Sequence, residues 1–136
     1  SINVYGVSSL NMVKSIISII VVSTLIFLGA TVENIYLKNS FDDIITMVNE
    51  ISDKLENQTA VEDDVLSMQK LWIDKKQKLH VFIPHTEIKE IDLWISECVT
   101  YTKYKKYEDA LAKCEVVKEL CEQIPKTFSV KLQNLF

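Results

Sequence analysis

Glycine and proline are scarce in this sequence, and arginine is absent. The 136 residues include two glycines and two prolines, and all fifteen basic residues are lysine. Because β-hairpins need turn-forming residues, this scarcity disfavours a sheet and leaves helices as the default. It also leaves no glycine-rich loop that would bind phosphates. The formal net charge of −4 argues against a nucleic-acid partner, which would need a basic face.

One long apolar segment, Ile16–Val32, contains no charged residue and no proline. Its seventeen residues lie close to the lower limit for a helix that crosses a hydrocarbon core about 30 Å thick. Isoleucine, valine and leucine occur all round the predicted helix, which disfavours a core helix with one apolar stripe. We therefore predict a membrane anchor. Its representative residues are Ile16, Ile20, Leu25, Phe27 and Val32.

The flanks of this segment predict its orientation. Lys14 is the only charged residue before Glu33, and a lysine on the short flank favours a cytoplasmic N-terminus with the body of the chain outside. A cleaved signal peptide is the alternative, because the apolar run is short and follows a basic residue. At the end of the run, however, Leu28 stands where a cleavage site requires a small residue. A retained anchor is therefore our prediction.

The rest of the chain shows the three- and four-residue spacing of amphipathic helices. The inward-facing residues predicted for the first helix are Phe41, Ile44, Val48, Ile51 and Leu55. Those of the second are Val61, Val65, Met68, Trp72 and Leu79. Those of the third are Ile88, Ile91, Ile95 and Cys98. Those of the fourth are Ala110, Cys114, Val117, Cys121 and Ile124.

Capping residues indicate where the first two helices of the body begin. Thr59 and Glu62 have the spacing of a capping box, which predicts a turn just before the second helix. Ser40 and Asp43 have a similar spacing. The anchor therefore either runs straight into the first helix or breaks near Asn39.

Pro125 is expected to end the fourth helix, because proline lacks the N–H that the helix interior needs. The apolar residues of a short helical tail, predicted to fold back onto the bundle, are Phe128, Leu132, Leu135 and Phe136. We divide the chain into leader or cloning-derived sequence, membrane anchor and extracytoplasmic bundle, at residues 1–11, 12–32 and 33–136. The predicted fold class is all-α, with an N-terminal transmembrane helix followed by a small antiparallel bundle of about four helices and that tail.

Three cysteines lie on the predicted apolar faces. Cys114 and Cys121 are about 10 Å apart along one helix, too far for a disulfide. A bridge between helices from Cys98 remains open in an oxidising compartment. The odd number, and spacing that fits no zinc knuckle, favour buried free thiols that pack as small hydrophobic residues.

His80, His85 and Glu87 are the candidate metal ligands. Because His85 and Glu87 are two residues apart, they do not share one helical face. We expect them instead in the first turn of the third helix, where glutamate complements the positive helix end. No nucleophile accompanies His85, so we predict no catalytic residue, no cofactor and no metal, and a protein that is not an enzyme.

Two further residue sets have alternative interpretations. Trp72 and Trp94 could line an interface, but core packing is favoured because they lie on or beside apolar stripes. The basic run at 75–78 could bind a partner. Lysines at the end of a helix complement its dipole, however, and we favour that structural role.

Several short segments in a specific order carry a family resemblance. They are Leu71-Trp72, Lys78-Leu79, the run Phe82 to Ile88, Glu108 to Leu111, Gln123 to Pro125 and the closing Leu132 to Phe136. Over residues 12–136 the chain resembles the family called domain of unknown function 4363, small anchored proteins of Clostridia and other Firmicutes. The resemblance implies an N-terminal membrane helix, a small helical exterior domain and an endospore-forming host, but no activity. The family pattern has an acidic residue where this chain has Pro84, which is tolerated in a first helical turn.

These observations favour a non-enzymatic interaction module. We expect an accessory or assembly subunit that is tethered to the bilayer and holds another membrane or envelope protein. A homo-oligomer is also compatible with the sequence, whereas nucleic acid is not an expected partner. The alternative is a ligand or metal sensor domain that uses the region of His85 and Glu87, with His80 as a further ligand.

Overall fold

Helices account for most of the residues that the computed structural model describes, which are 2–133, with side chains described for 5–128. The four helices in this range are α1 (Ile2–Glu56), α2 (Glu62–Leu79), α3 (His85–Lys103) and α4 (Tyr107–Gln133). No strand occurs among these residues, so the all-α prediction is confirmed. The chain divides into two compact units between Ile35 and Tyr36.

In the first unit, α1 is apolar and exposed. All side chains from residue 5 to residue 29 are exposed, and its most apolar window has a mean hydropathy of 2.4 with none of its residues buried. A core helix of a soluble protein would be mostly buried. A helix of this length and composition could form a single membrane span, although a signal sequence would share these features.

The same helix continues into the second unit without a break at Asn39. Ser40 and Asp43 therefore do not start a new helix. Ser40 is buried, and Asp43 accepts a hydrogen bond of 2.6 Å from Lys75 of α2. Of the two alternatives left open by the sequence, α1 follows the continuous one.

The second unit is a bundle in which consecutive helices are joined by short connections and run antiparallel. An ion pair links each pair of neighbours: Lys54–Asp64 at 2.6 Å, Lys76–Asp92 at 2.9 Å and Lys113–Glu97 at 3.1 Å. The core contains every residue predicted to face inward except Val61, which is 58% exposed. The three- and four-residue spacing therefore predicted the buried stripes of all four helices.

Val61 is exposed because α2 begins differently from the predicted capping box. The N-cap is Val61, not Thr59, and the Asp64 carboxylate accepts its backbone N–H at 2.9 Å. The backbone N–H of Thr59 instead donates to the Lys54 carbonyl at 2.8 Å, so Thr59 lies in the connection and caps the C-terminal end of α1. The pKa of Asp64 is lowered from its ordinary value of 3.8. The hydrogen bond from the Lys54 ammonium has the largest effect, and the hydrogen bond from the Val61 N–H has the next largest.

The prediction that Pro125 ends the fourth helix is wrong, because α4 continues to Gln133. Proline removes one helical hydrogen bond, but apolar residues on both sides of it pack against the core. Ile124 is buried and Phe128 is partly buried there. The predicted tail thus begins as a continuation of α4, while the side chain of Leu132 and the residues Leu135 and Phe136 lie outside the described part.

Candidate functional site

The two neighbours of α3 meet it in different ways. Towards α4 the contact is close, whereas towards α2 a cavity of about 270 Å³ remains. The residues lining this α2–α3 groove are Gln69, Trp72, Ile73, Lys76, Asp92, Ile95 and Ser96. Trp72 is only 1% exposed, so its large ring lies beneath the groove, while Ile73 on the wall is 42% exposed.

A polar network around Asp92 crosses the groove. The indole N–H of Trp72 donates to Asp92 Oδ1 at 2.6 Å. The Lys76 ammonium donates to both carboxylate oxygens, at 2.9 and 3.0 Å. Because a carboxylate can accept several hydrogen bonds, Asp92 serves both donors at once. The network holds a charge pair in a fixed position beside the exposed Ile73.

One further exposed apolar side chain, Leu66, lies on α2 outside the lining of the groove. Leu66 lies two turns before Ile73 on the same face and is 38% exposed. Single exposed hydrophobic residues are common on protein surfaces and carry little information. The combination in the groove is more specific, because one apolar wall and one fixed charge pair line the same concave surface. Such a surface can accept an apolar side chain together with a polar group beside it.

A family model for a domain of unknown function (DUF4363) matches residues 31–135 of the chain. The chain belongs to this family. The match includes the groove but begins near the end of the apolar run, so it is shorter than the range of 12–136 expected from the resemblance. No curated protein and no solved structure matches the chain. Membership in DUF4363 therefore brings no activity with it.

The sequence predicted part of the groove in this DUF4363 chain. Trp72 is buried, as expected for a core residue. Lys76 lies in the last turn of α2, as a residue that complements the dipole should, but it also pairs with Asp92. Asp92 was missed. Its only signal is its position directly after the inward-facing Ile91, which places it at the edge of the apolar stripe.

Trp94 lies at the border of the core on the other side of α3, half-buried rather than fully packed. The Lys113 ammonium lies over its ring, 4.9 Å from the centroid, and 5.7 Å from the ring of Tyr101. The same ammonium pairs with Glu97. These contacts give Trp94 a structural role between α3 and α4.

The candidate metal ligands do not form a site. His80 and His85 are exposed, and Glu87 lies in the first turn of α3, as expected. Within the described residues, no group of three or more histidine, cysteine, aspartate and glutamate side chains is arranged to hold a metal ion. The sensor alternative stays a prediction.

The anchor residues chosen from the sequence are exposed in the first unit. Ile16, Ile20, Leu25, Phe27 and Val32 each have between 52% and 66% of their surface exposed. Their exposure agrees with contact to lipid, which remains a prediction.

Proposed function

We propose that this DUF4363 protein is a membrane-anchored, non-enzymatic accessory subunit whose bundle holds another envelope protein. The α2–α3 groove is the observation that carries the proposal. In it, a partly exposed isoleucine and a fixed charge pair line one concave surface. The proposed occupant is an apolar side chain of the partner, flanked by a polar group that reaches Lys76 or Asp92.

The open shape of the groove supports a protein partner over a small-molecule substrate. Binding sites for small ligands typically have about 300–1,000 Å³ and bury most of the ligand. The groove has about 270 Å³ and is open to solvent along one side. It can therefore take one or two side chains from a larger surface. A groove of this kind does not need a catalytic group to act.

The apolar helix supports the location. In this proposal the helix is retained as a single span, with Lys14 on the cytoplasmic side and the bundle outside. A membrane-impermeant amine reagent, added to intact protoplasts, should then label lysines of the bundle such as Lys89 and Lys118. Labelling only after lysis would contradict the orientation. Recovery of the protein without residues 16–32 would contradict the retained anchor.

Photocrosslinking in the host cell tests the groove itself. A photoreactive amino acid replaces Ile73 in the full-length protein, and crosslinked products are identified by mass spectrometry. The control carries the same amino acid at Asp74, the next residue of α2, which is exposed but does not line the groove. We expect one recurrent membrane or envelope protein at Ile73 and much less of it at Asp74. Equal yields would contradict binding in the groove, and products containing only this chain would indicate a homo-oligomer.

A further inference from the structure

Two cysteine sulfur atoms meet in the core between α3 and α4. Cys98 Sγ and Cys114 Sγ are 2.7 Å apart, and both residues are fully buried. A disulfide bond has a length of about 2.05 Å, so the two sulfurs lie within about 0.7 Å of bonding distance. They face each other from two helices that are adjacent in the chain and antiparallel.

The surrounding residues fix this juxtaposition. Ala110, one turn before Cys114, is fully buried, and its carbonyl oxygen lies 3.5 Å from Cys98 Sγ. Its small side chain lets the two helices approach closely. The ion pair of Glu97 with Lys113 involves the neighbours of both cysteines and sets the same register. The sulfurs therefore meet because of the packing of the whole hairpin.

The third cysteine is separate. Cys121 is also buried on α4, two turns beyond Cys114, and burial raises its pKa to about 12. A pair plus one buried thiol accounts for the odd number of cysteines, which had counted against a bridge in the sequence.

We propose that Cys98 and Cys114 are a disulfide pair that ties α3 to α4, while Cys121 remains a free thiol. The oxidant is a disulfide R–S–S–R, either a small molecule or a thiol–disulfide oxidoreductase. One cysteine thiolate attacks it, forms a mixed disulfide and releases one R–SH. The second cysteine thiolate then attacks the mixed disulfide and releases the other R–SH. Two thiol protons and two electrons pass to the oxidant, which leaves as two thiols.

Burial determines when this exchange occurs. The pKa of Cys114 is raised, mainly by its hydrogen bond with Cys98 and secondly by burial. The reactive thiolate is therefore scarce while α3 and α4 are packed together. The disulfide bond therefore forms during folding or when α3 and α4 separate transiently. Once formed, the bond is shielded from reductants by the same packing.

The test uses the full chain in detergent micelles. Reduced protein is unfolded in denaturant and refolded with oxidised glutathione, and a parallel sample is refolded with reduced glutathione. Free thiols are then alkylated in denaturant and counted by mass spectrometry, and proteolytic peptides are mapped. We expect one free thiol after oxidation and three after reduction, with one linked peptide joining α3 and α4. The midpoint temperature should rise by about 10 °C or more on oxidation.

Single-cysteine variants separate the pair from the third thiol. Cys121→Ala should keep the linked peptide and the thermal shift, with no free thiol after oxidation. Cys98→Ala should lose both. Three free thiols in the oxidised wild type, or a bond that includes Cys121, would overturn the proposal.

The redox state in the host cell is a separate measurement, because it depends on the compartment. Cells are quenched in acid, which stops thiol–disulfide exchange. The free thiols are then alkylated before exchange can resume. An oxidised pair supports both the disulfide and the location proposed above. A reduced pair in cells, together with oxidation in micelles, would contradict the extracytoplasmic location and leave the disulfide pair supported.

Discussion

The two interfaces of α3 differ in the residues found where the helices come closest and where a space remains. Towards α4, the small residues Ala110, Cys98 and Cys114 are fully buried, and two sulfurs approach to 2.7 Å. Towards α2, the buried ring of Trp72 lies beside a cavity. Small residues allow close packing at the point where the two sulfurs meet. A bulky aromatic residue stabilises the core yet leaves space that polar side chains line. In this protein the candidate binding feature lies at the more loosely packed interface.

Trp72→Ala is expected to have the largest effect on stability. It removes a fully buried ring that contacts Phe41, with centroids 6.4 Å apart, and lies beneath the groove. Truncation of a buried tryptophan costs about 3–5 kcal/mol of the free energy of unfolding. Urea unfolding of the full chain in micelles measures this loss. Trp94→Ala is the control, because that ring is only half-buried, and should cost less than half as much. Equal losses in the two variants would show that Trp72 does not stabilise the α2–α3 interface more than Trp94 stabilises the α3–α4 interface.

A leucine introduced at each interface of α3 should distinguish the closely packed side from the open side by its effect on stability. Ala110→Leu inserts bulk where α3 and α4 are closely packed, and we expect a loss of about 1–3 kcal/mol in the free energy of unfolding. Ser96→Leu places the same side chain on the exposed wall of the groove and should change it by less than about 0.5 kcal/mol. It should also reduce the crosslinking from Ile73, because it occupies the groove. A large loss of stability in Ser96→Leu would mean that the groove is part of the packed core.

The sequence predicted the buried stripes better than it predicted the site. Inward positions follow from helical periodicity, which needs only the spacing of apolar residues, and Val61 failed because it precedes the helix. Pro125 was expected to end α4 because proline lacks a backbone N–H. The helix continues because Ile124 and Phe128, on either side of the proline, pack against the core. The groove depends on the register between α2 and α3, which brings together Trp72 and Asp92 from twenty residues apart. No local pattern contains that register.

The cysteines show the same limit. The spacing of Cys114 and Cys121 excludes a bond between them, and this could be read from one helix alone. Whether Cys98 meets either of them depends on the register of the α3–α4 hairpin. The sequence favoured buried free thiols and left a bridge from Cys98 open. In the structure all three cysteines are buried and free, and Cys114 is the one whose sulfur faces Cys98.

Asp92→Ala is expected to have an intermediate effect and tests the polar network of the groove. It leaves the buried indole N–H of Trp72 without its acceptor, which costs about 1–2 kcal/mol of the free energy of unfolding. Asp92→Asn keeps an acceptor oxygen and should recover part of this loss. On the α4 side, Glu97→Ala breaks only a partly exposed ion pair and should cost less than about 1 kcal/mol. Urea unfolding of the three variants compares them. Similar losses for Asp92→Ala and Glu97→Ala would indicate that the indole hydrogen bond contributes little.

The smallest expected change in the free energy of unfolding comes from substitutions in the connections before and after α3. Lys105, between α3 and α4, has a φ of 57°, in the left-handed region that disfavours residues with a Cβ. The backbone N–H of Lys106 donates to the Tyr101 carbonyl at 2.9 Å, which is the arrangement of a helix C-cap that usually has glycine at this position. Lys105→Gly should therefore raise the free energy of unfolding by up to about 1 kcal/mol.

Two controls make this small effect interpretable. Lys103→Gly lies in the last turn of α3, where helical backbone angles make glycine unfavourable, and should lower the free energy of unfolding by up to about 1 kcal/mol. Val81→Gly lies in the connection between α2 and α3, where none of the described residues has a positive φ, and should give no gain. If Lys105→Gly were also without gain, the tight α3–α4 connection would not store the backbone strain that its φ implies.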